Sequence, residues 1–165
     1  MVAKVAVLAD YYECQEAVST WVDPWINAVQ EAIPKTCSRD LILWLWVSWL
    51  FKPPAHFKEA TSTAMLCSDR IVDALQLPIL YHVIRSIDDR RQEAIADLFS
   101  RLDETRDSLL RGSRDCSFEC ISIMYGALSI QMESNALLSS RTAPPFPGLN
   151  YKGLVQKVLS FTSPK

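Results

Sequence analysis

The stretch Asp40–Phe51, "DLILWLWVSWLF", is the most apolar part of the chain and decides the fold. After Asp40 come eleven residues, of which only Ser48 is polar and three are tryptophan. A helix that crosses a membrane needs about 20 apolar residues, and Lys52 and two prolines end this run too early. A helix that lies on a membrane surface needs a polar face, which is missing here. A helix that is apolar on all sides is normally buried, so we expect a central core helix.

Within this helix, we expect Leu43, Trp46, Val47 and Leu50 to be among the least exposed residues of the protein. Ser48 is expected either to donate a hydrogen bond to the carbonyl four residues back or to face a small neighbour. If Leu43 is buried in this way, its replacement by alanine should cost about 2–5 kcal/mol of stability.

Helical spacing of apolar residues also dominates the rest of the 165-residue chain. Four glycines and few alternating β-branched runs argue against a sandwich or a barrel. The sequence therefore predicts a single all-α domain over residues 1–165, a helical bundle or a stack of helical hairpins with seven to eight helices. Besides Leu41–Phe51, the predicted helices are Val2–Tyr12, Cys14–Ile33, Ala55–Cys67, Leu80–Arg111, Cys116–Leu138 and a short terminal helix within 149–162.

Three interruptions divide these helices. Pro24 falls inside the apolar stripe of the second helix, which includes Trp21, and it predicts a kink or a break near Val22–Asp23. Residues 68–78 fit either a short helix or a connector. Residues 139–148 are predicted to form a proline-rich loop.

The helix at Leu80–Arg111 is long and carries charges of both signs, which are typical of a solvated face. Apolar residues recur along it near a seven-residue spacing, and Arg91 occupies one position of that seam. The seam permits a coiled coil, although packing on the chain's own core is favoured. Asp88, Asp89 and Arg91 form a candidate partner-binding strip. The alternative for Arg91 is that its stem packs while its charged head reaches water.

Composition and motifs exclude several classes of function. The net charge is −2 and no basic patch appears, which argues against nucleic-acid binding. The sequence contains no GxSxG motif and no glycine-rich phosphate loop. Cys116 and Cys120 are four residues apart on one helix, but zinc would need a second pair of ligands. We therefore expect no catalytic residues, no metal and no cofactor, and we expect these cysteines to face the core.

The five cysteines are odd in number and irregularly spaced, and the N-terminus lacks the pattern of a secretory signal. These features predict reduced thiols in a cytoplasmic or nuclear protein. A secreted effector would instead contain paired cysteines.

Several stretches resemble one protein family. Lys4–Val18, "KVAVLADYYECQEAV", is similar to the end of a BTB/POZ domain. The tryptophan-rich block and "FKEAT" at Phe57–Thr61 are similar to the region that follows the BTB domain in many fungal proteins. The long charged helix, the helix starting at Cys116 and the final helix with Tyr151 extend the resemblance over nearly the whole chain.

The resemblance implies that residues 1–33 correspond to the terminal BTB helices and residues 38–138 to a BACK-like helical core. It further implies a non-enzymatic intracellular module for protein–protein interaction, with a homodimer or another protein as partner and a contact with cullin-type ubiquitin ligases. In the family, the strands and early helices of the BTB fold precede the position of Val2. An apolar face of the first two helices is therefore expected to be available for association with a second copy.

A function of another class stays open. A small-molecule-binding or catalytic helical domain would have an apolar pocket lined by Trp44, Trp46 or Trp49, with a thiol such as Cys116 or Cys120. Close packing of the tryptophans without a cavity would exclude it.

Overall fold

The chain folds into seven α-helices within the parts that the structure, a computed structural model, describes: residues 2–29, 33–79, 81–112 and 117–162. These residues contain no strand, and the predicted all-α class is confirmed. No helix in these ranges is both long and apolar enough to cross a membrane. The helices are α1 (Val2–Tyr11), α2 (Gln15–Val29), α3 (Arg39–Phe51), α4 (Pro54–Cys67), α5 (Tyr81–Leu110), α6 (Phe118–Ser134) and α7 (Tyr151–Leu159).

The tryptophan-rich helix α3 lies at the centre of the N-terminal half, where it packs against α1, α2 and α4. The hydroxyl of Ser38 caps its start by accepting a hydrogen bond from the backbone N–H of Leu41 at 3.3 Å. Lys52 ends it in a left-handed backbone conformation, with φ of 58°. Alanines on α1 and α4, among them Ala6, Ala60 and Ala64, are fully buried. Such small side chains allow neighbouring helices to approach closely.

Burial along α3 differs between its faces. Leu41 and Leu45 are completely buried, and the predicted core residues Trp46 and Val47 are 1% and 3% exposed. Leu43 and Leu50 are only half-buried, so the prediction that they are among the least exposed residues is wrong. These two leucines are seven residues apart and lie on one face of the helix, which the neighbouring helices cover only in part.

Ser48 is buried, and its hydroxyl donates to the carbonyl of Leu45 at 3.1 Å. The acceptor is therefore three residues back and not four. This bond satisfies a polar group in an otherwise apolar helix.

Helix α2 continues through Pro24 as one element. Of the kink or break predicted near Val22–Asp23, the break therefore does not occur, and the kink stays a prediction. Pro24 has no N–H to donate to the carbonyl of Thr20, but Thr20 is exposed, so water can donate to this carbonyl instead. Val22 and Ile26 are buried, whereas Trp21 is 59% exposed. The buried stripe of α2 is therefore narrower than the sequence predicts.

Helix α5, with 30 residues, joins two separate apolar clusters. Its first turns contribute Val83, Ile84 and Ile87 to the N-terminal cluster, which also contains the core of α3. Its later turns contribute Ile95 and Phe99 to the C-terminal cluster, which α6 and α7 complete. The predicted seam is thus used for packing within the chain.

Helix α6 ends at Ser134, four residues before the predicted end. Ala136 adopts a left-handed conformation, its N–H bonds to Glu133 O at 3.0 Å, and the N–H of Leu137 bonds to Met132 O at 2.8 Å. This is the hydrogen-bond pattern of a Schellman motif, in which the residue after the turn packs back on the last helical turn. Leu137 and Met132 are accordingly both buried.

Candidate functional site

The predicted partner-binding strip on α5 is mostly buried. Arg91 is 1% exposed and Asp88 is 6% exposed, whereas Asp89 is exposed. The prediction that Asp88 and Arg91 contact a partner is therefore wrong, because a partner cannot reach them in the folded chain. The alternative, in which the charged head of Arg91 reaches water, is also wrong. Asp89 alone remains a candidate contact.

The guanidinium of Arg91 is fully satisfied by the chain itself. Its Nε and Nη2 atoms donate to Asp88 Oδ1 at 3.0 and 2.8 Å. Its remaining N–H groups donate to backbone carbonyls of the proline loop, residues 141–149, at distances of 2.8–3.3 Å. An arginine side chain has five N–H donors, and all five are used here. The accepting carbonyls are those of Pro145, Phe146 and Leu149.

The other oxygen of Asp88 is also occupied, since Gln92 Nε2 donates to Oδ2 at 2.7 Å. A buried ion pair is tolerated only when its remaining polar atoms find partners, and this pair meets that requirement. Arg91 lies along α5 between the residues of the two apolar clusters. The Asp88–Arg91 pair, through the hydrogen bonds of Arg91, therefore holds the proline loop against α5 at the point where the two apolar clusters meet.

The hydrogen bonds from Arg91 help to hold Phe146 in an unusual backbone conformation. Its backbone is left-handed, with φ of 55°, a conformation that is costly for a bulky residue. Its side chain is buried, with the ring centroid 5.8 Å from that of Phe99. The bond from Arg91 to the Phe146 carbonyl and the aromatic packing together hold this conformation.

A second ion pair holds the start of the proline loop. The guanidinium of Arg141 forms a bidentate pair with Asp103 at 2.7 and 2.9 Å and lies 4.4 Å from the centroid of the Phe99 ring. Two of its N–H groups also donate to the carbonyl of Leu137. Hydrogen bonds from Arg141 hold the pKa of Asp103 below its usual value of 3.8, against the opposing effect of partial burial.

The lowered pKa of Asp103 predicts a pH-dependent contribution to stability. A carboxyl group whose pKa is depressed in the folded state stabilises the fold above its unfolded pKa, and this stabilisation is lost as the pH falls through the folded pKa. Replacing Asp103 with Asn should therefore destabilise the protein slightly near neutral pH, and the difference from wild type should disappear in acid below the usual carboxyl range. Thermal unfolding across pH 2–7, chosen about the range of carboxyl titration, measures this. A difference independent of pH would contradict the assignment.

A cavity of about 470 Å³ lies between α4 and α5 and is closed at one side by α3. Val83 and Ile87 at its base are buried, and Trp49, Phe57 and Met65 are half-buried. The indole of Trp49 lies 5.9 Å, between ring centroids, from both Phe57 and the imidazole of His82. We call this cavity the α4–α5 groove.

Only one of the three tryptophans of α3 lines the α4–α5 groove. Trp46 is buried in the N-terminal cluster, and Trp44 stacks on His56 with centroids 5.8 Å apart. The predicted thiol Cys120 does not line the groove, and Cys116 lies outside the described residues. A tryptophan-lined pocket is therefore present, but its polar groups are not the predicted ones.

The described cysteines, Cys14, Cys37, Cys67 and Cys120, form no disulfide with one another. Burial raises the pKa of the Cys67 thiol to about 12, with a further contribution from the nearby Cys37. A thiol with such a pKa is a poor nucleophile at neutral pH. Within the described ranges, no group of three or more histidine, cysteine or carboxylate side chains is placed to hold a metal ion.

The α1–α2 hairpin exposes four large apolar side chains. Leu8 is 56% exposed, Tyr11 77%, Tyr12 69% and Trp21 59%. The rings of Tyr11 and Tyr12 contact each other edge to face at 5.0 Å. We call these four residues the α1–α2 face. The resemblance to BTB proteins implied that the first two helices carry such a face, whereas the apolar periodicity placed Trp21 on the buried stripe.

The resemblance to fungal BTB proteins rests on sequence patterns alone and stays a prediction. In comparisons with known proteins, the chain matches no family model, no curated protein and no solved structure.

Proposed function

We propose that this chain is a non-enzymatic helical module for protein–protein interaction, with the α1–α2 face as its docking surface. The observation that carries the proposal is the exposure of Leu8, Tyr11, Tyr12 and Trp21 on one helical hairpin. Monomeric soluble proteins seldom leave large apolar groups clustered on the surface unless they serve an interaction.

The residue types of the α1–α2 face support this proposal. Tyrosine and tryptophan are enriched at protein interfaces, where a few such side chains carry most of the binding energy. Leu8 and Tyr11 are three residues apart and so lie on the same side of α1. The opposite side of α1, with Ala6 and Ala9, is buried against the protein's own core. Helix α1 therefore has one side for folding and one side for a partner.

We take a second copy of the chain as the partner. Exposed charges of both signs flank the α1–α2 face, with Lys4 on α1, Glu13 in the turn and Glu16 on α2. In a two-fold symmetric dimer, the same patch of both copies meets itself. A patch that carries both signs of charge can then pair Lys4 of one copy with a glutamate of the other. The resemblance to BTB proteins also favours an intracellular homodimer. A contact with a cullin-type ubiquitin ligase would be a further interaction besides this self-association.

Removing the aromatic side chains should abolish self-association. We expect the wild-type chain to show a sedimentation coefficient that rises with protein concentration in the micromolar range. The double variant Tyr11→Ser/Trp21→Ser should stay monomeric over the same concentrations, because the loss of each hot-spot side chain weakens binding by about 2 kcal/mol or more. Sedimentation velocity over a series of concentrations measures both.

The matched control is Ile130→Ser, which removes an apolar residue of α6 that is 70% exposed. It should associate like the wild type. A wild-type chain that stays monomeric at all concentrations, or an Ile130→Ser variant that loses association while the double variant keeps it, would contradict the proposed docking surface.

A further inference from the structure

The α4–α5 groove has a polar rim that differs in charge from the molecule as a whole. The protein carries a net charge of −2, yet the groove is lined by Lys58 and Arg90 and by no carboxylate among the described residues. Both side chains belong to exposed residues. The rim is therefore locally positive on an acidic protein.

Within the described parts of the chain, the two cations of the rim make no contact that holds the fold. The four other arginines of α5 all have described partners. Arg91 pairs with Asp88, Arg101 with Asp97 and Arg106 with Asp107, and Arg85 lies over the ring of Tyr81. Neither Lys58 nor Arg90 forms an ion pair or a side-chain hydrogen bond with any residue in the described ranges. They are available to a ligand without loss of an existing contact.

Two hydroxyl groups of the rim are available in the same way. Ser62 on α4 and Ser86 on α5 are exposed, and their hydroxyls form no hydrogen bond with a described residue. A hydroxyl can donate to an anionic oxygen. Ser62 lies one helical turn after Lys58, and Ser86 one turn before Arg90. Each helix therefore presents one cation and one hydroxyl to the groove.

The base of the groove is apolar and partly aromatic. The rings of Trp49 and Phe57 form one wall, and Val83, Ile87 and Met65 complete the base. Small-molecule sites are typically concave, mostly apolar and about 300–1,000 Å³ in volume, with a few polar groups that fix orientation. The groove has this composition, and its volume of about 470 Å³ falls within the range.

We propose that the α4–α5 groove is a binding site for small organic anions that consist of a flat aromatic body and a single sulfonate, carboxylate or phosphate group. The aromatic body packs against Trp49 and Phe57, and the anionic group lies at the rim between Lys58 and Arg90. This site is separate from the α1–α2 face, and its occupation does not depend on self-association.

The probe for this site is 8-anilinonaphthalene-1-sulfonate, whose fluorescence rises when it leaves water. Its neutral analogue N-phenyl-1-naphthylamine has the same aromatic body without the sulfonate. We expect the sulfonate to bind more tightly than the neutral analogue. The variants Lys58→Gln and Arg90→Gln should each weaken binding of the sulfonate about threefold to fivefold, the upper part of the range for exposed charge pairs, and the double variant about tenfold. Binding of the neutral analogue should be unchanged.

Two further variants locate the probe. Ser62→Trp places a large side chain at the rim and should prevent binding of both probes, while the unfolding temperature confirms that the variant folds. Arg85→Gln removes an α5 cation that does not line the groove and should leave binding unchanged. Sodium sulfate should compete only weakly with the sulfonate probe, because sulfate lacks the aromatic body. Sodium chloride at the same ionic strength is the control.

Three results would overturn the proposal. The first is equal affinity for the sulfonate and the neutral analogue. The second is a sulfonate affinity that Arg90→Gln and Lys58→Gln leave unchanged but Tyr11→Ser/Trp21→Ser abolishes, which would place the probe on the α1–α2 face. The third is complete competition by sulfate, which would indicate a site for inorganic anions only.

Discussion

Replacing Arg91 with Met is expected to lower the free energy of unfolding by about 3–5 kcal/mol. Methionine keeps much of the apolar stem but leaves the carboxylate of Asp88 buried without its cation. It also leaves the carbonyls of Pro145, Phe146 and Leu149 without the donors they have in the wild type. Denaturation by urea, followed by circular dichroism, measures the change. A loss of this size is a large part of the stability of an ordinary domain.

The matched control for Arg91→Met is Arg101→Met on the same helix. Arg101 also pairs with an aspartate, Asp97, at 2.7 Å, but both side chains are exposed, and this variant should unfold almost like the wild type. Arg91→Lys should also be clearly destabilised, because an ammonium group cannot supply five donors in a planar fork. If Arg91→Met cost no more than Arg101→Met, the proposed fastening of the proline loop would be wrong.

The second large effect is expected for Leu45→Ala in α3. Leu45 is completely buried in the helix that packs against α1, α2 and α4, so its truncation should cost about 2–5 kcal/mol through lost transfer energy and the cavity left behind. Leu43→Ala makes the same chemical change two residues away at a half-buried position. It should cost about 1 kcal/mol.

Equilibrium unfolding of both alanine variants distinguishes the two faces of α3. Comparable slopes with denaturant would show that both variants expose a similar surface on unfolding. If Leu43→Ala were at least as unstable as Leu45→Ala, Leu43 would be as buried as the sequence predicts. That result would contradict the difference in burial between the two leucines.

The central place of α3 was predictable because an eleven-residue run with one hydroxyl has no polar side to give to solvent. Which leucines are most buried was not predictable from the run itself. In a helix that is apolar on every side, periodicity does not distinguish the faces, and the neighbouring helices decide. The buried alanines of α1 and α4 belong to separate elements of the chain, and no local pattern pairs them with α3.

The role of Arg91 shows the same limit more sharply. Its position on the apolar seam of α5 was visible, and so was the nearby carboxylate of Asp88. Its carbonyl partners, however, are 54–58 residues further along the chain. From the sequence alone, a charged residue on an apolar seam fits a partner-binding strip and a buried ion pair equally well. The position of the proline loop in the folded chain decides between them.

The available cations of the α4–α5 groove were missed because charges on a mixed helix usually indicate a solvated face. Arg90 differs from the other arginines of α5 in lacking a partner among the described residues, and a sequence does not show this difference. The one visible signal was the recurrence of Phe57, Thr61 and Met65 at four-residue spacing, which indicates a second partly apolar face on α4.

An interface between two copies at the α1–α2 face is the central proposal, and hydrogen–deuterium exchange below and above the concentration at which the chain associates tests it most directly. We predict slower exchange at high concentration in peptides from residues 2–29, no change in α6, and no change anywhere in Tyr11→Ser/Trp21→Ser. Slowed exchange confined to another part of the chain, or exchange independent of concentration while the chain sediments as a dimer, would contradict the proposed interface.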